Sequence, residues 1–445
     1  MKKTTLITIG AFATTSLFAQ TLFVSKAGGN WTESGTLTEK NSSGSVYYPA
    51  PTTGVQLRME GTSGTLNIDD NIGVTTISVW DKNHTITIAK DKTFTIGSGS
   101  TDYTNKTLGF NMQNSQTTIS GEGTLNGGLT YTKFLTMYGV ATNKSIGNVL
   151  QFYGGQGKAG TDNLHVSANT VLNGILWGDY NNSEQYKNNP TPTVNFSGSF
   201  TNTSTFYIKG NSAVNTLVKM TGKVRLNEVV LQNSANLEIN SSDFKSTSWL
   251  GLLGGSTLKL VGKSTPYNIA GKIRLNGNAT LILSGNNAYS STNNANVINY
   301  EKVGNKVVIE GTQSIGGFAA VATSTSDIIL QIDLAEATLL TLDHLIYQPA
   351  SNDYLKTDSL TKRGDGTTKT NYYVEFLNFE NGKVKLTNDL LTEEDWDHVI
   401  AEGWEDFKLG SDGFITATRV VPEPSTYAMI FGSVALAVAL LRRRK

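Results

Sequence analysis

Three stretches decide how this chain folds: Ser234-Ala235-Asn236-Leu237-Glu238-Ile239, Gly255-Ser256-Thr257-Leu258-Lys259-Leu260 and Asn278-Ala279-Thr280-Leu281-Ile282-Leu283. Each opens on small or turn-forming residues and closes on Leu-x-Leu or Leu-x-Ile, the period-two signature of a strand with one buried face. The leading leucines are 21 and then 23 residues apart. Ser63-Gly64-Thr65-Leu66-Asn67-Ile68 is an earlier, out-of-phase copy, and Lys223-Val224-Arg225-Leu226-Asn227 is echoed by Lys272-Ile273-Arg274-Leu275-Asn276. Repeats of this length cannot bury an apolar face alone, so each must stack on the next and form an inner column of Leu, Ile and Val.

Working outward, similar pieces recur as Ile86-Thr87-Ile88, Phe94-Thr95-Ile96, Leu164-His165-Val166 and Phe206-Tyr207-Ile208, with Gly, Asn and Ser between them. No long helical pattern interrupts them up to about residue 330. The expected fold is all-β: a β-solenoid of the right-handed β-helix kind over residues 20–335, with Gly and Asn at the tight corners. β-Sandwich domains are the alternative, since short strands closely spaced by turns also suit them. Residues 336–420 change texture and predict a small α+β cap. Within it, Tyr372 to Phe379 and Lys383 to Leu386 read as a hairpin through Asn381-Gly382. A helix is expected over 393–402, with Thr392 and Asp395 as a capping box and Trp396, Val399 and Ile400 on one face.

Composition narrows the function classes. The 445 residues carry 36 Lys+Arg against 36 Asp+Glu, and only 16% are charged, which leaves no bulk charge for binding nucleic acid. There is no Cys, so disulfides, thiolate metal sites and a Cys nucleophile are excluded. The four His (His84, His165, His344, His398) lack metal-ligand spacing, and no nucleotide-binding or nucleophile-elbow motif occurs. No cofactor and no metal are expected.

The two ends are the most specific features. Residues 1–19 read as an export signal, with Lys2 and Lys3 ahead of an apolar run and cleavage between Ala19 and Gln20. At the other end, Pro422-Glu423-Pro424 precedes the uncharged stretch 427–441, which is short for a transmembrane helix, and then Arg442-Arg443-Arg444-Lys445. The four cations would stay cytoplasmic and leave the body of the chain outside. This tripartite end, residues 421–445, resembles the PEP-CTERM sorting signal of exported Gram-negative proteins. The resemblance implies recognition by an exosortase-like membrane protease that cleaves near Pro422, Glu423 and Pro424, with Arg442–Lys445 as the basic stop. It also implies passage through the general secretion machinery and transient anchoring in the inner membrane. The destination would be the cell surface or an extracellular matrix, where exopolysaccharide is a candidate partner. A plain membrane anchor is the alternative use of the same segment.

Three function classes follow: a structural or adhesin-like exported β-repeat protein, a glycan-cleaving lyase or hydrolase on the same scaffold, and a plain membrane-anchored surface protein. No catalytic residue is assigned, and the first class is favoured. For the second, Asp179 between Trp177 and Tyr180 is the candidate glycan contact, because an acid beside aromatic rings suits a sugar. The Lys223/Arg225 and Lys272/Arg274 pairs would form an outward cationic ladder if they shared one face. The nine carboxylates of residues 389–412 read as a solvated helix face rather than a cation site.

Overall fold

The computed structural model describes residues 21–420 apart from internal stretches, the longest being 40–55, 97–108, 128–148, 180–192 and 348–371. Residues 1–20 and 421–445 lie outside the described residues, and with them the expected signal, its cleavage point, the sorting motif, the membrane helix and the basic stop. Contacts divide the chain into two compact units, Met1–Ser199 and Phe200–Lys445.

In the second unit the chain visits three faces in turn, and each visit pairs with the one before. Face one is built from Thr216–Met220, Ala235–Ile239, Thr257–Val261, Thr280–Ser284, Lys306–Ile309, Ile328–Asp333, Tyr372–Leu377 and Val399–Ile400, in that order and all parallel. Face two runs from Thr205–Lys209 through Glu228–Gln232, Leu250–Leu253, Ile273–Asn276, Val297–Tyr300 and Gly317–Ala320 to Ile346–Tyr347. The third face is assembled from shorter ladders, Val224–Leu226 on Phe244–Ser246, Tyr267–Asn268 on Tyr289–Ser290, and Gly311–Ile315 on Ala337–Leu342 and Val384–Leu386. Parallel ladders between strands one circuit apart are what stacked coils produce, whereas sandwiches of hairpins would give antiparallel pairs. The protein is nearly all-β, with long parallel sheets consistent with a β-solenoid.

The repeats explain the register. Leu237 lies beside Leu258, Leu258 beside Leu281, and Leu281 beside Val307. All four are buried, and so are Ile239, Leu260, Leu283 and Ile309 one pleat further along. Between them Glu238 and Lys259 alternate to the half-buried outer side, as a period of two requires.

Corners are held by buried amides. Asn305 is fully buried; its Nδ2 donates to the carbonyls of Leu275 (3.0 Å) and Lys302 (2.6 Å), while its Oδ1 accepts from the Ala279 N–H (3.0 Å). Gln313 does the same at another corner, between Ala288 N–H, Gly285 O and Glu310 O. Asn202 repeats the device with Asn227 N–H and Glu228 O. Each side chain ties its own turn to a neighbouring coil and adds partners to backbone groups at the corner. Gly311 marks a corner of a different kind: its φ is 80°, and a Cβ there would sit 2.5 Å from the Gly285 carbonyl oxygen. Only glycine lets these two coils approach so closely.

The first unit has the same parallel character. One sheet stacks Gly29–Asn30, Thr65–Ile68, His84–Ile88, Thr117–Gly121, Leu164–Val166 and Thr193–Phe196. A second stacks Ile72–Val74, Thr93–Ile96, Thr124–Gly127 and Asn169–Leu172. The third places Thr21–Val24, Gln56–Met59, Thr76–Trp80 and Gly109–Gln113 side by side, with Leu37–Glu39 antiparallel at its edge.

The structure departs from three expectations. The hairpin over 372–386 does not form: Tyr372–Leu377 joins face one and Val384–Leu386 joins the third face, both parallel to the coil before. Asn378 and Gly382, at φ 57° and 88°, make a corner instead, because the free rung of the preceding coil outcompetes a local turn. The helix over 393–402 is one turn long, Glu393–Trp396. Val399–Ile400 pairs as a strand with Val374 and Glu375. β-Branched residues beside an open strand edge gain more from that ladder than from extending so short a helix. Finally, coil stacking continues past residue 335, and among the described residues beyond it Trp404–Leu409 with Ile415–Arg419 forms an antiparallel end piece.

Candidate functional site

The most developed candidate site was not found by sequence reasoning. The turn Ala401-Glu402-Gly403 brings the chain back into the hairpin, with Gly403 at φ 78° and the Trp404 N–H donating to the Ala401 carbonyl at 3.2 Å. Trp404 meets Phe379 edge-on at 5.3 Å, and Phe379 meets Phe407 at 5.3 Å and Phe376 at 5.7 Å. This aromatic stack fixes the indole while leaving it half-buried. Around it opens a groove of about 620 Å³ lined by Trp396, Val399, Ile400, Ala401 and Trp404, in the size range of ligand clefts. Ile400 is 37% exposed. Glu393, Asp397, Glu405 and Asp406 also line it and are exposed, with Lys408 the single cation of the lining.

These are carboxylates that the sequence reading assigned to a solvated helix face. The helix ends after one turn, so exposed acids and half-buried indoles line one groove instead. Two Trp eight residues apart within the acidic run were the available signal.

The sequence-derived candidates fare differently. Trp177 and Asp179 stand on the strand Gly174–Asp179, beside Gln151 and Tyr153 of Val149–Tyr153; Tyr180 lies outside the described residues. The cationic ladder is not formed. Val224–Leu226 belongs to the third face and Ile273–Asn276 to the second, so the two pairs do not share a sheet. The two arginines are also neutralised: Arg225 pairs with Asp243 and Arg274 with Glu301. The 49-residue echo does not match whole circuits here, whose lengths vary.

Arg274 anchors a second cluster on face two. It bonds Glu301, whose other oxygen accepts from Asn276 at 3.0 Å, and lies 5.4 Å over the Trp249 ring. Burial pushes the nearby Glu228 carboxyl up, against a Thr205 hydrogen bond and the Arg274 charge. Burial, then the Arg274 charge, hold the Lys272 ammonium down, with Glu301 opposing. An acid raised and an amine lowered within one cluster is a pattern found where protons are moved. The bonds of Arg274 to Glu301 also tie successive coils together.

Among the described residues, no group of three or more His, Asp or Glu is arranged to hold a metal ion. His165 bonds the Ser197 hydroxyl at 3.0 Å, and His398 stacks on Tyr373 at 4.7 Å. Among the described residues, no helix is long and apolar enough to cross a membrane; the segment 427–441 lies outside them.

No family model, no curated protein and no solved structure matches this chain.

Proposed function

We propose that this is an exported, structural or adhesin-like β-repeat protein, a right-handed β-solenoid delivered to the cell envelope or extracellular matrix. What supports the fold part is the succession of parallel rungs on the faces of each unit; we assign the right hand by the usual hand of parallel crossovers. The delivery part rests on one observation, the ordered end Pro422-Glu423-Pro424, apolar stretch and Arg442-Arg443-Arg444-Lys445. An exosortase-like protease would read it, after export through the general secretion machinery and cleavage of residues 1–19. A surface poor in net charge and rich in Thr, Asn and Ser suits a protein that presents area rather than turnover. The decisive measurement is intact mass with terminal peptide mapping of protein recovered from envelope and medium. Sorting predicts loss of residues 1–19 and cleavage near 421–425, with any added mass marking the attached group. A membrane-bound form still ending at Lys445 would replace sorting with plain anchoring.

A second reading, glycan cleavage, is favoured by the Trp249 ring, over which Arg274 lies at 5.4 Å, in the cluster that holds Glu228, whose carboxyl is pushed up by burial. It predicts release of new reducing or unsaturated ends from a panel of polysaccharides, abolished by Glu228→Gln. Equal product from wild type and Glu228→Gln, or none from either, removes it.

A further inference from the structure

We infer that the groove at residues 391–409 docks an extended, cationic peptide segment of another protein. Three independent features converge there. The floor offers two half-buried indoles, Trp396 and Trp404, and the exposed Ile400. A Trp face is the best aromatic partner for an Arg or Lys side chain, and Trp404 is held ready for one by Phe379. The rim carries Glu393, Asp397, Glu405 and Asp406 against Lys408 alone. That imbalance selects a positively charged occupant and rejects an acidic one.

The third feature is backbone. Among the described residues, Val399–Ile400 is the last strand of face one, with a neighbour only on its Tyr372–Leu377 side; Trp404–Leu409 pairs with Ile415–Arg419 across a bulge at 405–408, and its other edge is bridged at Trp404 alone, to Ala401. Both strands line the groove, so two ladder edges meet at its walls. Unpaired edges are templates for an added strand, whose main-chain hydrogen bonds supply affinity while alternate side chains enter pockets. A peptide alternating Arg with Leu or Val meets all three demands. A polysaccharide would use the indoles and the acids but leave the edges unpaired. This docking is independent of how the chain is sorted and of any glycan cleavage.

The probe is an acetylated, amidated Arg-Leu-Arg-Val-Arg peptide, titrated into the full chain by calorimetry. Binding is expected at a single site and should weaken about tenfold when salt is raised from about 0.05 M to about 0.5 M. The double variant Glu405→Gln/Asp406→Asn removes two exposed charges, and asparagine tolerates the positive φ of 54° at position 406. It should bind about tenfold more weakly, with an unchanged melting temperature. Trp396→Ala should weaken binding about fivefold or more. The Glu-Leu-Glu-Val-Glu peptide should not bind. No binding of the Arg peptide, equal binding of the Glu peptide, or unaltered binding to the double variant would overturn the proposal. Binding of glucosamine oligomers at this groove in place of the peptide would overturn it in favour of a cationic glycan.

Discussion

Leu281→Asp is expected to unfold the second unit at neutral pH, while Ile282→Asp, one residue along the same strand, leaves it folded. Leu281 is fully buried between Leu258 and Val307 in neighbouring coils. Removing its side chain alone costs about 2–5 kcal/mol. The new carboxyl group has no cation or donor inside an apolar column, and burying it adds at least about 2 kcal/mol even if it takes up a proton. The sum matches the stability of a typical domain, about 5–15 kcal/mol. Ile282 faces the half-buried outer side and pairs in register with Lys259 and Val308. An acid there meets water beside the Lys259 ammonium, which Glu310 already pairs, so the loss should stay near about 1 kcal/mol. Denaturant titration followed by circular dichroism reads both. Acidification should partly rescue Leu281→Asp, because a protonated carboxyl is cheaper to bury than a charged one. Similar losses in the two variants would mean that the strand does not have one buried face.

Asn305→Ala should lower stability by about 3–5 kcal/mol although it deletes no apolar surface. Alanine strands the Ala279 N–H and the Lys302 carbonyl in a buried corner, while the Leu275 carbonyl loses one donor and keeps the Glu301 N–H at 2.8 Å. Each stranded group costs about 1–3 kcal/mol, reduced where water enters the space vacated. Asn305→Asp should be no better: it keeps the acceptor, loses both donations and sets a charge against two carbonyl oxygens. Lys302→Ala, a change in the same turn at a side chain that does not hold the corner, should shift the denaturation midpoint little. Because each coil contacts mainly its neighbours, the Asn305 defect should show first as hydrogen-exchange loss in residues 273–315. Protection unchanged there in Asn305→Ala would remove the amide as a coil-to-coil staple.

Much of the fold could be read from local pattern. Leu237, Leu258 and Leu281 announced their own register, because parallel stacking puts equivalent residues of successive coils side by side and so repeats them in sequence. The pattern misled where two local rules competed with a distant partner. Asn381-Gly382 carries a hairpin signal, and Trp396, Val399 and Ile400 carry helical spacing. In both cases an open rung a coil away offered a full backbone ladder, and the local preference yielded. The candidate site was harder to read than the fold. Trp396 and Trp404 come together only because the helix stops at one turn, and Phe379, which fixes Trp404, comes from the previous circuit.

By itself the sequence determined that the chain is β-rich and repetitive, which residues face inward, and that no thiol chemistry is open to it. These follow from side-chain periodicity and composition, both local properties. Only the tertiary structure decided how many residues make each circuit and which face each strand joins. The same is true of the neutralisation of Arg225 and Arg274 by Asp243 and Glu301, and of the acids and indoles at 391–409 becoming one groove. Coil length is set by how corners close over a common core, through buried amides such as Asn305 and close approaches such as Gly311 on Gly285. Those contacts join residues about 20–30 positions apart, where the sequence carries no periodic mark of which partner will win.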